Sequence, residues 1–284
     1  YVAATGSVAA HTVTIDAGAT LNVDGTFDFT ADADTLTVAG TVEGAGSIDM
    51  LDGDDTLTLL DGADLSGLAS PIDGGAGNDT LIADIATSST LGGAAGFETL
   101  TKDGTGTLHI DGPATSSFGA VDVLVGTLDV GAAASVDGVT ATTVAAGATL
   151  NVDGSYAGSA GDDSFTLAGT LDRAGHIAPG DGDDVLTLQG GAVLGAAVAG
   201  GVGSGDEVVL DGYFQEDPTP GPFKDAPPGY EHMMGYLDMH SFKSKLHRWR
   251  FNLRTGKTRE EHIDDRVLEF GMINGRSGGR KYRY

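Results

Sequence analysis

The stretch GGAGNDTLI, Gly74 to Ile82, has the residue types and spacing of a calcium-binding turn. It fits the nine-residue pattern G-G-x-G-x-D-x-U-x, in which turn carbonyls and the carboxylate of the sixth residue, here Asp79, offer hard oxygen ligands to Ca2+. LDGDDTLTL and GDGDDVLTL are looser relatives that put Asp55 and Asp184 in the place of Asp79. A calcium roll shares each ion between the turns of adjacent copies, and these three are not directly adjacent in the chain. Asn and Asp also favour such turns with no ion bound, so turn chemistry accounts for the same residues.

Other chemistry is sparser. General acid–base work on a glycosidic bond needs two carboxyls about 5 to 10 Å apart. Neighbours such as Asp54 and Asp55 point to opposite faces of a strand and do not converge unless a turn redirects them. Only Lys102 and Arg173 are basic before Tyr213, too few to build a cationic site for acidic sugars. His11, His109 and His176 are scattered without metal-ligand spacing, and solvated strand or turn positions are expected for them.

Short strands must position these groups. ATLNVDG, DTLTVAGTV, DTLTLLDG, DTLIADI, GTLHIDG and GTLDVG share one grammar, in which apolar and small polar residues alternate until Gly or Asp ends the run. Period-two alternation marks half-buried strands, and Gly and Asp supply the turns between them. In TLHIDG, Leu108 and Ile110 are expected to point inward and His109 outward. AGATLNVDG occurs at Ala17 to Gly25 and again at Ala146 to Gly154, and the copy continues through DGDDTLTL and DGDDVLTL, so residues 17–81 and 146–209 form an internal duplication. Each copy is longer than one coil. With 46 Gly and few aromatics, a β-solenoid that buries a narrow column of Leu, Val and Ile and exposes Thr, Asn and Asp fits better than a sandwich.

Charge divides the chain near residue 212. Of 41 acidic residues 31 precede Tyr213, whereas thirteen of the fifteen Lys and Arg follow Gly212. So acidic a surface repels nucleic acid and anionic lipid headgroups and attracts cations, which excludes a nucleic-acid partner. There is no cysteine, hence no disulfide framework or thiolate metal site. No apolar run reaches about 18 residues, so no transmembrane helix is expected. The start at Tyr1, without an initiator Met or signal peptide, suggests a fragment or a processed form.

The segment GFETLTKDGTGTLHIDGPATSSFGAVDVLVGTLDVG, residues 96–131, resembles the autotransporter-associated strand repeat of bacterial passenger domains. Phe97, Glu98 and Lys102 match the lead-in, Gly104, Gly106, Thr107 and Leu108 the first strand, and Gly126, Thr127 and Leu128 the strand one coil later. The resemblance implies a right-handed parallel β-helix, exported by a Gram-negative bacterium and displayed at the cell surface or released. It also implies a translocator barrel as partner, whose alternating amphipathic strands of about ten residues are not found after Gly212. An adhesive module of this kind would bind an unknown host-surface or matrix ligand and require no cofactor.

The end of the chain has another grammar. Residues 213–230 hold five of the eight prolines and read as a linker. LHRWRFNL, the turn RTGK and TREEHIDDRVLEF follow as a β-hairpin with Leu246, Trp249, Phe251 and Leu253 as its apolar candidates. The patterns R-W-x-x-x-L-x-T-G, E-E-x-x-D-D-R, E-F-x-x-I-N and G-R-x-Y-R-Y, running from Arg248 to Tyr284, resemble the carotenoid cleavage oxygenases and most of all their lignostilbene dioxygenase branch. That family is a seven-bladed β-propeller whose four histidines hold Fe(II) and which cleaves a carbon–carbon double bond with dioxygen. The resemblance would make His232, in EHMMGYLDMH, an iron ligand, and Glu269 the carboxylate that orients a ligating histidine. It would also make the chain cytoplasmic.

The sequence therefore predicts an all-β chain. Residues 1–212 form an acidic, glycine-rich parallel β-helix, 213–230 a linker, and 231–284 a partial oxygenase-like segment with a small hairpin of a propeller. A non-catalytic surface module is the expected function, with the iron dioxygenase and a calcium-dependent roll as alternatives.

Overall fold

A computed structural model describes residues 7–8, 11–173, 175–195, 198, 206–215, 228 and 244–264. Among them are twenty-nine strands, from β1 (Ser7–Val8) to β29 (Thr258–Asp264), and no helix. Three strands make one coil, and about nine coils stack into a parallel β-solenoid, the all-β fold expected from the alternation.

One face carries twelve strands of a fifteen-stranded sheet, among them β2 (Thr12–Ile15), β5 (Thr35–Val38), β8 (Thr56–Leu60), β11 (Thr80–Asp84), β14 (Phe97–Asp103) and β16 (Thr115–Val123), paired in that order, and the other three continue onto the third face. A nine-stranded sheet forms the second face, and a five-stranded sheet begins the third. The long strand β16 bends between faces. Its first residues pair with β18 (Ser135–Val139) on the third face and its last with β19 (Ala141–Val144) on the first.

Register follows the side-chain pattern. Leu36, Leu57, Leu81, Leu100 and Val121 stand above one another in the lumen, each 0 to 1% exposed. A slip of one residue would turn this whole column to solvent, so burial worth about 1.5 to 3 kcal/mol per leucine fixes the pairing. Leu108 and Ile110 are buried and His109 half-buried, as the period-two pattern predicts. Phe97 and Phe118, the first of them in the passenger-like lead-in, are paired in register and buried on adjacent coils.

The glycine-rich turns permit close stacking. At Gly75, φ is +96°, and a side chain there would sit 1.7 Å from the Leu51 carbonyl oxygen of the coil before it. The GGAG run is thus required by the approach of one backbone to the next.

The composition boundary at residue 212 falls inside β27 (Glu207–Gln215), which pairs in parallel with β25 (Val185–Leu188). The other edge of β27 pairs antiparallel with β28 (Ser244–Asn252) along nine residues. A turn through Gly256 joins β28 to β29, which completes the expected hairpin. The basic tail therefore continues the acidic solenoid's sheet. Apart from Tyr213–Gln215, which are strand, and Pro228, the linker region 213–230 lies outside the described residues.

Candidate functional site

Most coils enter the fifteen-stranded sheet through an acidic residue, and these residues are stacked. Asp34, Asp55, Asp79 and Glu98 immediately precede the first ladder threonine of four successive coils. At this corner the backbone N–H points along the solenoid, and the acid of the next coil accepts it. The Asp34 N–H donates to Asp55 Oδ1 at 2.7 Å, the Asp55 N–H to Asp79 Oδ1 at 2.8 Å, and the Asp79 N–H to Glu98 Oε2. At the start of the row Asp34 accepts from the Thr30 N–H at 2.7 Å and from the Nδ1 of His11 at 3.0 Å. The duplicated copy repeats the device. The Asp163 N–H donates to Asp184 Oδ1 at 3.0 Å and the Asp184 N–H to Asp206 Oδ1 at 3.2 Å.

The three aspartates of the calcium motifs thus lie in one structural column, Asp55 and Asp79 on neighbouring coils and Asp184 in the second copy. One oxygen of each satisfies a backbone donor that would otherwise be buried unpaired. Among the described residues no three His, Asp or Glu side chains converge as a metal-holding group. Asp54 is exposed while Asp55 is buried, so this adjacent pair diverges in the turn that leads into β8. Asp34, Asp163 and Asp206 belong to the column but were not singled out by the nonapeptide pattern. Their signal is simpler: an acid directly before the first strand residue, as in ADTLTV, DDSFTL and GDEVVL.

The second oxygens of Asp55, Asp79 and Asp184 are buried without a hydrogen-bond partner. Loss of water pushes the Asp55 carboxyl up to about 6, against the hydrogen bond from Asp34, and raises Asp79 and Asp184 in the same sense. Their acidic neighbours add to the rise. Asp55 therefore takes up a proton near pH 6, and Asp79 and Asp184 take theirs up above the ordinary carboxylate range.

A pH dependence follows. Unfolded, Asp55 titrates near 3.8, and folded near 6. The folded chain holds the proton more tightly, so stability is greatest below the lower value and falls as pH rises through the higher one. The loss at Asp55 is on the order of 1 to 3 kcal/mol between about pH 4 and pH 6. The guanidinium midpoint should be higher at pH 5 than at pH 7, and Asp55→Asn, which keeps an acceptor for the Asp34 N–H without the charge, should flatten that difference. A wild-type midpoint that climbs between pH 5 and pH 7 while the variant's stays level would contradict this account.

Two other charged groups stand out. On the nine-stranded sheet His109 Nδ1 donates to Asp129 Oδ2 at 2.9 Å, while Arg173 bridges Asp129 and Asp153. In the hairpin, His247 is buried, donates Nδ1 to Glu260 Oε1 at 2.6 Å and stands edge-on to His262 with ring centres 4.1 Å apart. The Trp249 ring is stacked near His247 on the same strand. These groups hold the hairpin together. His232 and Glu269 lie outside the described residues.

A cavity of about 230 Å³ opens in the last coils. Tyr156, Phe165, Ile177 and Leu186 line it, together with Asp163, Asp184 and Asp206 from the acidic column, and Leu253 of the hairpin turn reaches its edge. The Tyr156 hydroxyl is paired with the Thr142 hydroxyl at 2.7 Å, and burial raises its pKa.

Comparison with known proteins bears on the last part of the chain, from the solenoid's final strand β27 onward. No curated protein and no solved structure compared with it matches. Residues 198–284 match the family model described as RPE65, retinal pigment epithelial membrane protein, of the carotenoid oxygenase family. The C-terminal segment, including the hairpin that ends the solenoid sheet, is thus similar to part of a carotenoid oxygenase.

Proposed function

We propose that the chain is a structural and adhesive module, a secreted or surface-displayed β-solenoid that presents repeating faces to a partner and performs no catalysis. The observation that carries this reading is the unbroken parallel ladder from β2 to β27 around one aliphatic column. Such a stack is stabilised coil upon coil and exposes broad ordered faces. The resemblance of segment 96–131 to passenger repeats supports export, and its Phe97 and Lys102 are buried in the lumen with its strand residues in the solenoid register. The test is location. Antibodies to residues 11–195 should label intact producing cells or the culture medium, and externally added protease should remove the cell-bound signal. Antigen found only in the cytoplasm would overturn the reading.

The family match at residues 198–284 favours a second reading, in which the chain belongs to an iron(II)-dependent dioxygenase that cleaves a stilbene or carotenoid double bond. Here His232 would supply a metal ligand and Glu269 would orient one. Purified chain reconstituted with Fe(II) would then hold one iron and split a hydroxystilbene into two aldehydes under oxygen. Absence of both iron retention and aldehyde would end this reading without touching the first.

A further inference from the structure

The fifteen-stranded sheet bears a feature that neither reading uses. Its outward positions on the first five coils include two adjacent columns rich in threonine, beside which the last three of these coils add a third column of Leu60, Asp84 and Asp103. One contains Thr12, Thr35, Thr56, Thr80 and Thr99, and the other Thr14, Thr37, Thr58, Ile82 and Thr101. Nine of the ten are threonine, and the tenth is also β-branched. All are half-buried or exposed, and the residues between them, such as Leu36, Leu57, Leu81 and Leu100, point into the lumen. The pairing runs through the five strands without a register shift.

We propose that this face binds ice. Neighbouring strands are about 4.7 to 4.9 Å apart, and residues two apart on a strand about 6.4 to 6.8 Å. The ten side chains therefore form a rectangular lattice, and the oxygen rows on the prism face of hexagonal ice repeat at comparable distances in both directions. Threonine suits this ligand. Its branched side chain is held near one rotamer on a strand, so little entropy is lost on docking. Each residue presents a hydroxyl that can enter a water lattice beside a methyl group that orders the water around it.

β-propensity alone does not explain the pattern, because threonine is favoured on every strand yet forms two adjacent columns on one face. On the nine-stranded sheet one outward column holds Thr107, Thr127, Thr149 and Thr170, but the next holds His109, Asp129, Asn151 and Asp172. The five-stranded sheet stacks Asp28, Asp49 and Asp73. In a chain with 41 acidic residues, the two threonine columns carry no charge over five coils. A single row matches a lattice in one direction only; two uncharged rows match it in two.

The proposal deepens the adhesive reading by naming a ligand for one face, but its test is made in vitro and is indifferent to where the cell places the chain. The purified full chain is frozen slowly onto a cold finger, and its partition into ice is compared with that of an unrelated acidic protein of similar size. Thermal hysteresis and the shape of single ice crystals are recorded alongside. Enrichment in ice, a freezing-point gap and faceted crystals are expected. Thr37→Lys with Thr58→Lys should lower the hysteresis about tenfold or more, because two bulky charges then stand in the centre of a fitted face. The same exchange at Thr127 and Thr149, on the other sheet, should change nothing. If the first pair loses its strand signal in circular dichroism, Thr37→Ser with Thr58→Ser, which keeps the hydroxyls and deletes the methyls, takes its place, with a clear fall in hysteresis expected. Exclusion of the wild-type chain from ice, equal losses on both sheets, or full activity in the serine pair would each overturn the proposal.

Discussion

Lys102→Ala is expected to destabilise the solenoid by about 3 to 5 kcal/mol, enough to unfold its middle coils under mild denaturation. Lys102 occupies an inward position between Ala83 and Val123 of the adjoining coils and is fully buried. Its ammonium group reaches the turn and donates to the carbonyls of Asp103 at 2.6 Å, Gly104 at 2.9 Å and Val125 at 3.3 Å. All three of its protons are thus placed, two on its own coil and one on the next. Burial lowers its pKa, and Asp103 and Asp84 oppose that shift. Alanine would leave a void and take the charged donor from three carbonyls. Lys102→Met fills most of the void without restoring the donors, so its cost should lie between those of wild type and alanine. Urea denaturation followed by circular dichroism separates the two contributions. An alanine variant within about 1 kcal/mol of wild type would show that water replaces the ammonium group without loss.

A chain ended after Gln215 should associate where the full chain does not. Removing the hairpin strips nine paired residues from the outer edge of β27. It also removes Arg248, which donates to Asp211 through Nε at 2.7 Å and Nη2 at 2.6 Å, and Arg250, which pairs with Glu207 at 3.0 Å. The Trp249 ring, which lies over Gly212, is lost as well. A bare edge of that length is a template for another chain. In the intact protein the last strand among the described residues is β29, and Arg259, Glu260 and Glu261 cover it with charge. Sedimentation velocity at micromolar concentration should show the truncated chain in larger species than the intact one. Identical sedimentation would mean that the hairpin has no protective role.

The solenoid was legible because its rule is short-range. A half-buried strand must alternate, and the Leu36 to Val121 column does so in every coil. The hairpin was legible from its turn, with Gly256 between two runs free of helix and turn signals. Less legible was how the two meet. Composition changes sharply at Gly212, yet β27 and β28 are joined by backbone groups, which leave no trace in composition, and by ion pairs between residues 37 and 43 positions apart. The aspartates were recognised by type and read as turn residues or as ligands of an ion. Their hydrogen bonds run to residues 21 to 24 positions away, so the structural part of their role emerges only when the coil length is known. Lys102 is a similar case, since charge predicts exposure and only the turn geometry provides three acceptors inside.

The join between β27 and β28 has a consequence for how such chains arise. A strand at the end of a parallel stack offers its neighbour N–H and C=O groups that carry no address, and here Asp211 and Glu207 add two charges that Arg248 and Arg250 meet. A segment that forms an extended pair and sets basic residues against Asp211 and Glu207 completes the last rung, and its own hairpin then seals the stack. The end of such a solenoid therefore asks little of the sequence that covers it: one extended strand and two well-placed charges.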